Sequence, residues 1–395
     1  MLEQAFSSVT SFLTGIVIAH NCTMETAGLY ALVLSVSMLG LGLQRVIIAV
    51  PFNVHYPKFQ QEEKRRNYRS AIMGLEFYSL LLAGIIAWII GYTVYPQVGG
   101  LPCAVFLVGY LLKDYARQFF LGMIRVTQCL LMSLMQCFVQ IGILFVWREH
   151  LTLEFILFGI GMSCIICTII YLLPYLNISF NLNKLREAWN INWWTAKWSI
   201  GISMSDSLKN QLSVWLLKLF QSTEAVAIYN NNNTLATLPQ PVFMGLSQFL
   251  LPNFSKSIQE ETGKKIGVKI VLISSFAVSA NLIWSIVLFL LGKTLVSIFY
   301  GTDYYAGIAP LLMCCLRGIF VSLTSIENSV LQAFQKPQII FKILLLSIAF
   351  LSTIGAFWIY KSGVMGVCTA MMVVYMIPAV CGAAKIYMLV RGKQK

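Results

Sequence analysis

The chain has 395 residues, of which 58% are hydrophobic and only 11% are charged. A water-soluble domain carries about 25% charged residues, so this composition excludes an ordinary soluble protein and indicates membrane-spanning segments. The net charge is +13, but most of the 28 Lys and Arg lie in short connections between apolar runs. This distribution is typical of membrane topology rather than of nucleic-acid binding, so no nucleic-acid partner is predicted.

Twelve apolar runs are long enough to cross a bilayer, which takes about 20 helical residues. The connections between them are short and leave no room for a soluble domain. The first run begins close to Met1 without a basic region or a cleavage site, so we do not expect a removable signal peptide. In chain order, the predicted spans are 4–21, 27–50, 70–92, 101–123, 126–147, 153–175, 192–217, 225–250, 267–291, 305–333, 338–360 and 363–388.

Basic residues are concentrated in every second connection between the predicted spans, counted from the N-terminus. The even-numbered connections, the span segments beside them and the C-terminal tail hold 21 Lys and Arg, whereas the odd-numbered connections hold four. Because cytoplasmic loops of membrane proteins are enriched in Lys and Arg, both termini are predicted to be cytoplasmic. A missed helix would destroy the alternation, so this pattern also supports the count of twelve spans.

The two halves of the chain repeat a series of residues at a nearly constant offset. Glu25–Tyr30 (ETAGLY) opens the second span, and Glu224–Tyr229 (EAVAIY) opens the eighth span 199 residues later. Arg117 and Arg317 lie 200 residues apart in spans four and ten. Six helices return a chain to its starting side, so the halves are predicted to be parallel repeats.

The predicted fold is therefore an all-α polytopic membrane protein made of two six-helix bundles. The N-terminal bundle covers residues 1–176, a cytoplasmic linker covers 177–191, and the C-terminal bundle covers 192–395. This architecture places a substrate cavity between the bundles near the membrane midplane.

Charged side chains inside the spans are candidates for the substrate site, because each costs about 2.5–3.5 kcal/mol to insert unless it faces a cavity or a partner. Arg45, Lys209 and Arg317 lie mid-span, and Arg117 lies nearer a cytoplasmic end. Arg45 and Arg317 have no acidic residue within four positions, whereas Lys209 and Asp206 are three apart and could neutralise each other. These four cations are candidate contacts for an anionic substrate, with purely structural pairing as the alternative.

Polar residues in the same spans are further candidates. They recur at spacings of three and four along span seven, which indicates a face that does not contact lipid. Span eight opens with four asparagines at 230–233, and Pro239 and Pro241 should break this helix and free backbone carbonyls. The alternative is that the asparagines mark a helix end near the outer surface. The polar candidates are Asp206, Asn210, Gln44, Gln248, Asn231 and Gln240.

No cofactor or metal site and no catalytic residue is predicted. His20, His55 and His150 are scattered near span ends, and the Cys164/Cys167 pair lacks the second pair or histidines of a zinc site.

Three stretches carry a resemblance to a known family. The opening Glu3–Thr14 (EQAFSSVTSFLT) and the following Glu25–Tyr30 resemble the first two helices of polysaccharide flippases of the MOP (multidrug/oligosaccharidyl-lipid/polysaccharide) superfamily, of the O-antigen or capsule repeat-unit type. The stretch 227–252 is similar to the eighth helix of that superfamily. The basic segment that usually precedes the first helix is nearly absent here.

The resemblance implies two six-helix bundles that work by alternating access, and a function in transport rather than in enzymatic catalysis. The implied substrate is an oligosaccharide repeat unit on a polyprenyl diphosphate, moved from the cytoplasmic to the outer leaflet of the bacterial inner membrane. Polysaccharide polymerases or assembly proteins are the implied protein partners.

Two function classes are alternatives to a flippase. A cation-coupled multidrug exporter of the same superfamily would favour acidic residues in the cavity; the acids expected deep in the spans are Asp206, Glu76 and Glu327, and cations slightly outnumber them. A membrane-embedded polymerase or acyltransferase is disfavoured, because the chain has neither a large outer loop nor a polar cluster around a histidine.

Overall fold

A computed structural model shows the architecture of the chain. The structure describes residues 2–94, 96, 98–240, 242, 243, 250, 253, 254, 257, 258, 260–334 and 336–392. Within these ranges the chain is almost entirely helical and contains no β-strand. The α-helices are α1 (Leu2–Asn21), α2 (Met24–Gln44), α3 (Val50–His55), α4 (Glu62–Val94), α5 (Gly100–Gly122), α6 (Val126–Val146), α7 (Leu153–Leu172), α8 (Leu182–Phe220), α9 (Thr223–Ala236), α10 (Gly263–Phe299), α11 (Ile308–Ala333), α12 (Pro337–Phe350) and α13 (Ala356–Gly392).

The helices follow the predicted spans. In two places, neighbouring α-helices are joined by a π-helical segment without a loop. A π-helical segment, Arg45–Ala49, joins α2 to α3, and a second one, Leu351–Gly355, joins α12 to α13. The predicted boundary between spans eleven and twelve is marked by Gly363 inside α13, where φ is 52° and the backbone leaves the helical region.

Helices α8 and α9 have ends that differ from the limits of the predicted spans. Helix α8 begins at Leu182, ten residues before the predicted start at 192, because the charged and Trp-rich residues there continue the helix. Helix α9 ends at Ala236 and a turn follows over 237–239, so the predicted break near Pro239 is confirmed. Pro241 and the candidate Gln248 lie outside the described residues.

Seven segments of the described chain are long and apolar enough to cross a membrane. They are Met24–Lys58, Glu62–Thr93, Val126–Val146, Leu153–Tyr175, Gly263–Phe299, Ile308–Ala333 and Pro337–Gly392. Other helices, such as α5 with Lys113, Asp114 and Arg117, carry more charge in their middle. The chain is a multi-pass α-helical membrane protein.

The chain divides into two compact units, Phe6–Ser207 and Leu208–Lys395, here called the N-terminal and C-terminal units; the first five residues are shared out between them. The division lies inside α8, after the segment 177–191 that the sequence predicts as a linker. Residues 182–191 of that segment are helical. Its cytoplasmic location stays a prediction.

Close contacts at glycine hold α5 and α7 together in the N-terminal unit. A Cβ added to Gly109 would overlap the carbonyl oxygen of Gly161, and one added to Gly161 would lie 2.5 Å from the carbonyl oxygen of Val105. Small residues of this kind let helix backbones approach closely in membranes, where hydrophobic burial does not drive association.

These contacts predict that Gly109→Ala lowers the unfolding free energy by about 1–3 kcal/mol, the usual cost of overpacking. Gly142→Ala in α6 is the matched control, because a Cβ at Gly142 meets nothing within 4 Å. Thermal unfolding of both variants in detergent measures the difference. Equal melting temperatures would contradict the close-contact interpretation.

Candidate functional site

Arg45 lies where α2 passes into its π-helical segment, and it forms a two-pronged ion pair. Its Nε and Nη2 donate to the two carboxylate oxygens of Asp114 in α5, each at 2.7 Å. The side chain of Asp114 is 9% exposed, whereas that of Arg45 is 45% exposed. Arg117, one turn further along α5, places Nη1 3.8 Å from the same carboxylate. One carboxylate therefore lies within ion-pair distance of two guanidinium groups.

Arg45 has no acidic residue within four positions in sequence, and its acidic partner Asp114 comes from a helix 69 positions away. The alternative of structural pairing therefore applies to Arg45. The pair is bidentate and partly buried, which is the strong geometry for arginine and carboxylate.

The polar candidate Gln44 points away from Arg45 into the helix packing. Its amide nitrogen donates to a carboxylate oxygen of Glu76 in α4 and, at 3.0 Å, to the carbonyl oxygen of Leu111 in α5. Gln44 and Glu76 are both buried. Gln44 thus links three helices and supplies a donor to a buried carboxylate.

A buried asparagine supports the π-helical segment beside Arg45. Asn192 of α8 donates to the carbonyl oxygen of Ile47 at 3.0 Å and accepts a hydrogen bond from the hydroxyl of Tyr68 at 2.7 Å. A π-helical turn leaves backbone groups outside the regular α-helical ladder, and a side-chain donor satisfies one of them here.

Arg317 of α11 has uncharged partners in the C-terminal unit. Its Nη1 donates to the side-chain oxygen of Asn233 and, at 3.4 Å, to the hydroxyl of Tyr229. Its Cζ lies 5.2 Å from the ring centroid of Tyr375 in α13. Among the described residues, its buried Nε–H has no acceptor.

Lys209 of α8 contacts the same aromatic ring. Its Nζ lies 4.1 Å from the centroid of Tyr375, and the residue is 2% exposed. The hydroxyl of Tyr375 donates to the side-chain oxygen of Asn210 at 2.5 Å. The structure therefore brings the predicted residues Lys209, Asn210 and Arg317 together around Tyr375, in an arrangement called here the Tyr375 cluster. Asp206 is exposed, one turn before Lys209.

The asparagines of α9 form contacts with different parts of the C-terminal unit. Asn232 donates to the carbonyl oxygen of Tyr304 at 2.6 Å, while Asn233 belongs to the Tyr375 cluster. Asn231 and Gln240 each have a buried side-chain amide nitrogen without an acceptor among the described residues. Asn231 and Asn232 are buried, Asn230 and Asn233 are half-buried, and the run lies within α9 rather than at its end.

Glu327 of α11 is a further buried ionisable residue of the C-terminal unit. Its Oε2 has no donor among the described residues, and the residue is 7% exposed. A Cβ at Gly382 of α13 would overlap this oxygen, so the carboxylate packs directly against the backbone of α13.

Three residues of these sites were not predicted from the sequence: Asp114, Tyr229 and Tyr375. Asp114 was hidden by its two basic neighbours Lys113 and Arg117, which made the stretch resemble a loop. Tyr229 ends the repeated EAVAIY stretch, which could have directed attention to it.

The shared carboxylate predicts that Asp114→Ala lowers the unfolding free energy by about 1–3 kcal/mol, because it leaves two guanidinium groups without their acceptor. Arg45→Ala should cost less, since that side chain is half exposed, and the double variant should be less destabilised than the sum of the two. Thermal unfolding in detergent tests this, with the exposed Asp303→Ala as control. Additive losses from the two changes would refute coupling between Arg45 and Asp114.

No protein-family model and no curated protein sequence matches the chain. Solved structures do match. An inward-facing multidrug resistance MATE family transporter of the MOP superfamily has a TM-score of 0.81 at 12% identity, over 99% of this chain and 95% of that one. The lipid II flippase MurJ in an inward closed conformation has a TM-score of 0.76 at 11% identity, over 97% of this chain and 86% of that one.

A third match is a MOP superfamily transporter from Pyrococcus furiosus, for which a reversed polarity of the binding pocket suggests a different function. Its TM-score is 0.64 at 12% identity, over 100% of this chain and 94% of that one. Likeness at such identities concerns the backbone path rather than the substrate. The chain has the fold of the MOP superfamily transporters.

Proposed function

We propose that this chain is a flippase. It moves an oligosaccharide repeat unit on a polyprenyl diphosphate from the cytoplasmic to the outer leaflet of a bacterial inner membrane, by alternating access, with both termini in the cytoplasm. The observation that carries the proposal is Arg317, a guanidinium in an apolar helix whose partners among the described residues are uncharged.

The partners of Arg317 solvate its charge without cancelling it. Arginine stays ionised in proteins, so the charge must be accommodated by the oxygens of Tyr229 and Asn233 and by the ring face of Tyr375. The buried Nε–H still needs an acceptor. A phosphate oxygen supplies both that acceptor and the opposite charge, and guanidinium binds phosphate through two parallel hydrogen bonds.

Lys209 extends the cationic character of the Tyr375 cluster. Two cations approach one aromatic ring, with Nζ of Lys209 at 4.1 Å and Cζ of Arg317 at 5.2 Å from its centroid. A diphosphate carries two or more negative charges, and lysine and arginine side chains are suited to bind its oxygens. The substrate class that suits this cluster is therefore a diphosphate rather than a neutral lipid.

Amide groups of the same unit are suited to the sugar. Asn231 and Gln240 each offer a buried N–H donor, and the Nε2 of Gln240 lies 3.7 Å from the position of a Cβ at Gly318, the residue after Arg317. Asn and Gln amide groups carry N–H donors and a carbonyl acceptor, which suit the hydroxyl groups of a sugar. In the N-terminal unit, Gln44, Arg45 and Arg117 remain candidates for the same substrate.

The fold is compatible with a lipid-linked substrate, because one structural match is a lipid II flippase. Transport by a flippase needs no catalytic residue, and polysaccharide polymerases or assembly proteins would act on the product.

A cation-coupled multidrug exporter is the second candidate function, and Glu327 is the observation that favours it. A buried carboxylate whose Oε2 lacks a donor among the described residues is suited to bind a proton, Na⁺ or a cationic drug. The match to multidrug resistance transporters of the same fold agrees with this candidate.

The flippase proposal predicts that Arg317→Gln weakens binding of polyprenyl diphosphate about tenfold or more, the equivalent of one lost charge-assisted hydrogen bond. Native mass spectrometry of the purified protein measures binding of polyprenyl diphosphate and of uncharged polyprenol. Binding of uncharged polyprenol should be the same in both proteins.

A complementation experiment tests transport itself. In a bacterial strain without its own repeat-unit flippase, wild type should restore surface polysaccharide and Arg317→Gln should not.

Arg391→Gln is the matched control, because Arg391 is exposed near the end of α13 in the same unit. It should bind and rescue as wild type does. Equal binding of polyprenyl diphosphate and polyprenol by wild type would refute the proposal whichever sugar the chain carries.

The exporter candidate predicts a different phenotype. Expression of wild type should raise resistance to cationic dyes in a strain that lacks its major exporters, and Glu327→Gln should remove that resistance because it deletes the charge and keeps the shape. Glu154→Gln in α7, an exposed position, is the control. Unchanged dye sensitivity on wild-type expression would eliminate the exporter.

A further inference from the structure

Two cysteines of the C-terminal unit lie side by side. The Sγ atoms of Cys314 in α11 and Cys368 in α13 are 3.5 Å apart. Both residues are about 1% exposed, and both are free thiols. They are 54 positions apart in sequence, so only the packing of α11 on α13 brings them together.

The distance between the sulfurs is close to van der Waals contact. A disulfide needs its sulfurs about 2.0 Å apart, so a small side-chain rotation on each helix suffices if the backbones accommodate the bridge. Cys315, the next residue of α11, is rotated about 100° around the helix axis from Cys314, so its side chain does not face Cys368. The pairing is therefore specific to Cys314 and Cys368.

We propose that Cys314 and Cys368 form a redox-active dithiol that peroxide converts to a disulfide. One thiol reacts with hydrogen peroxide to give a sulfenic acid and one water. The second thiol then attacks the sulfenic sulfur, which forms the S–S bond and releases a second water. Two thiols are oxidised and one peroxide is reduced to two waters, so no further reagent is needed. A thiol reductant reverses the reaction.

The bond would fix the helices that form the Tyr375 cluster. Cys314 lies three residues before Arg317 on α11, and Cys368 lies seven residues before Tyr375 on α13, so each cysteine shares a helix face with its cluster residue. Arg317 and Tyr375 contact each other. The disulfide ties α11 to α13 close to this contact and stops any relative movement of the two helices there.

Oxidation should therefore arrest transport, a consequence that rests on the flippase proposal. The chemistry of the two thiols does not rest on it, and it is measured separately.

The experiment treats membranes containing the full chain with hydrogen peroxide, alkylates the remaining thiols and digests the protein. Mass spectrometry should find the Cys314 and Cys368 peptides linked, with two hydrogens lost, and dithiothreitol should separate them. Cys314→Ser and Cys368→Ser should each abolish the link, and Cys315→Ser should keep it. Because the wild-type link is read directly, a variant that fails to fold does not affect the result.

Wild-type protein in which both peptides remain alkylated after peroxide would overturn the proposal, and so would a link that joins Cys315 instead. The transport arm compares surface polysaccharide made by peroxide-treated cells carrying wild type or Cys368→Ser. A severalfold loss in wild type alone supports arrest. A linked wild type that transports normally overturns the arrest and leaves the dithiol chemistry standing.

Discussion

An ionised side chain inside an apolar helix bundle must be solvated by the protein itself, and the polar interior of this chain follows from that requirement. The N-terminal unit meets it with a carboxylate, since Asp114 accepts from Arg45 and lies near Arg117. The C-terminal unit meets it with neutral oxygens and an aromatic ring around Arg317. Arg117 and Arg317 occupy corresponding positions of the internal repeat, so the halves have diverged in how they compensate the same charge.

Helix neighbours in each unit are selected by small residues and by buried polar contacts. Apolar surface cannot select them, because lipid tails solvate it as well as another helix does. Gly109 and Gly161 let α5 and α7 touch. A chain of side-chain hydrogen bonds then connects α6 to α1 of the same unit, in which Gln136 donates to Gln140 at 3.2 Å and Gln140 donates to Thr14 at 2.8 Å. Each contact is available to only one pair of helices, so together they specify the bundle.

The features predicted correctly from the sequence are local ones. Apolar runs predicted the helices, Pro239 predicted the end of α9, and mid-span charges predicted Lys209 and Arg317 of the Tyr375 cluster. The partners themselves could not be predicted. Asp114 lies 69 positions from Arg45, and Tyr375 lies 165 positions from Asn210, so each pairing depends on which helices are neighbours. The early start of α8 was missed because its first turns are too polar to be read as part of a span.

The π-helical segment Arg45–Ala49 has a consequence for how this chain compares with its relatives. Val50 N–H donates to the carbonyl of Arg45, five residues back rather than four, so the segment accommodates one residue more than an α-helical turn. Loss of one residue there would return the helix to regular geometry without changing what precedes or follows it. Sequence alignments of distant homologues should therefore permit a single-residue gap at this point, within a membrane span, where gaps are normally forbidden. Arg45 would then align correctly even where the flanking residues share no identity.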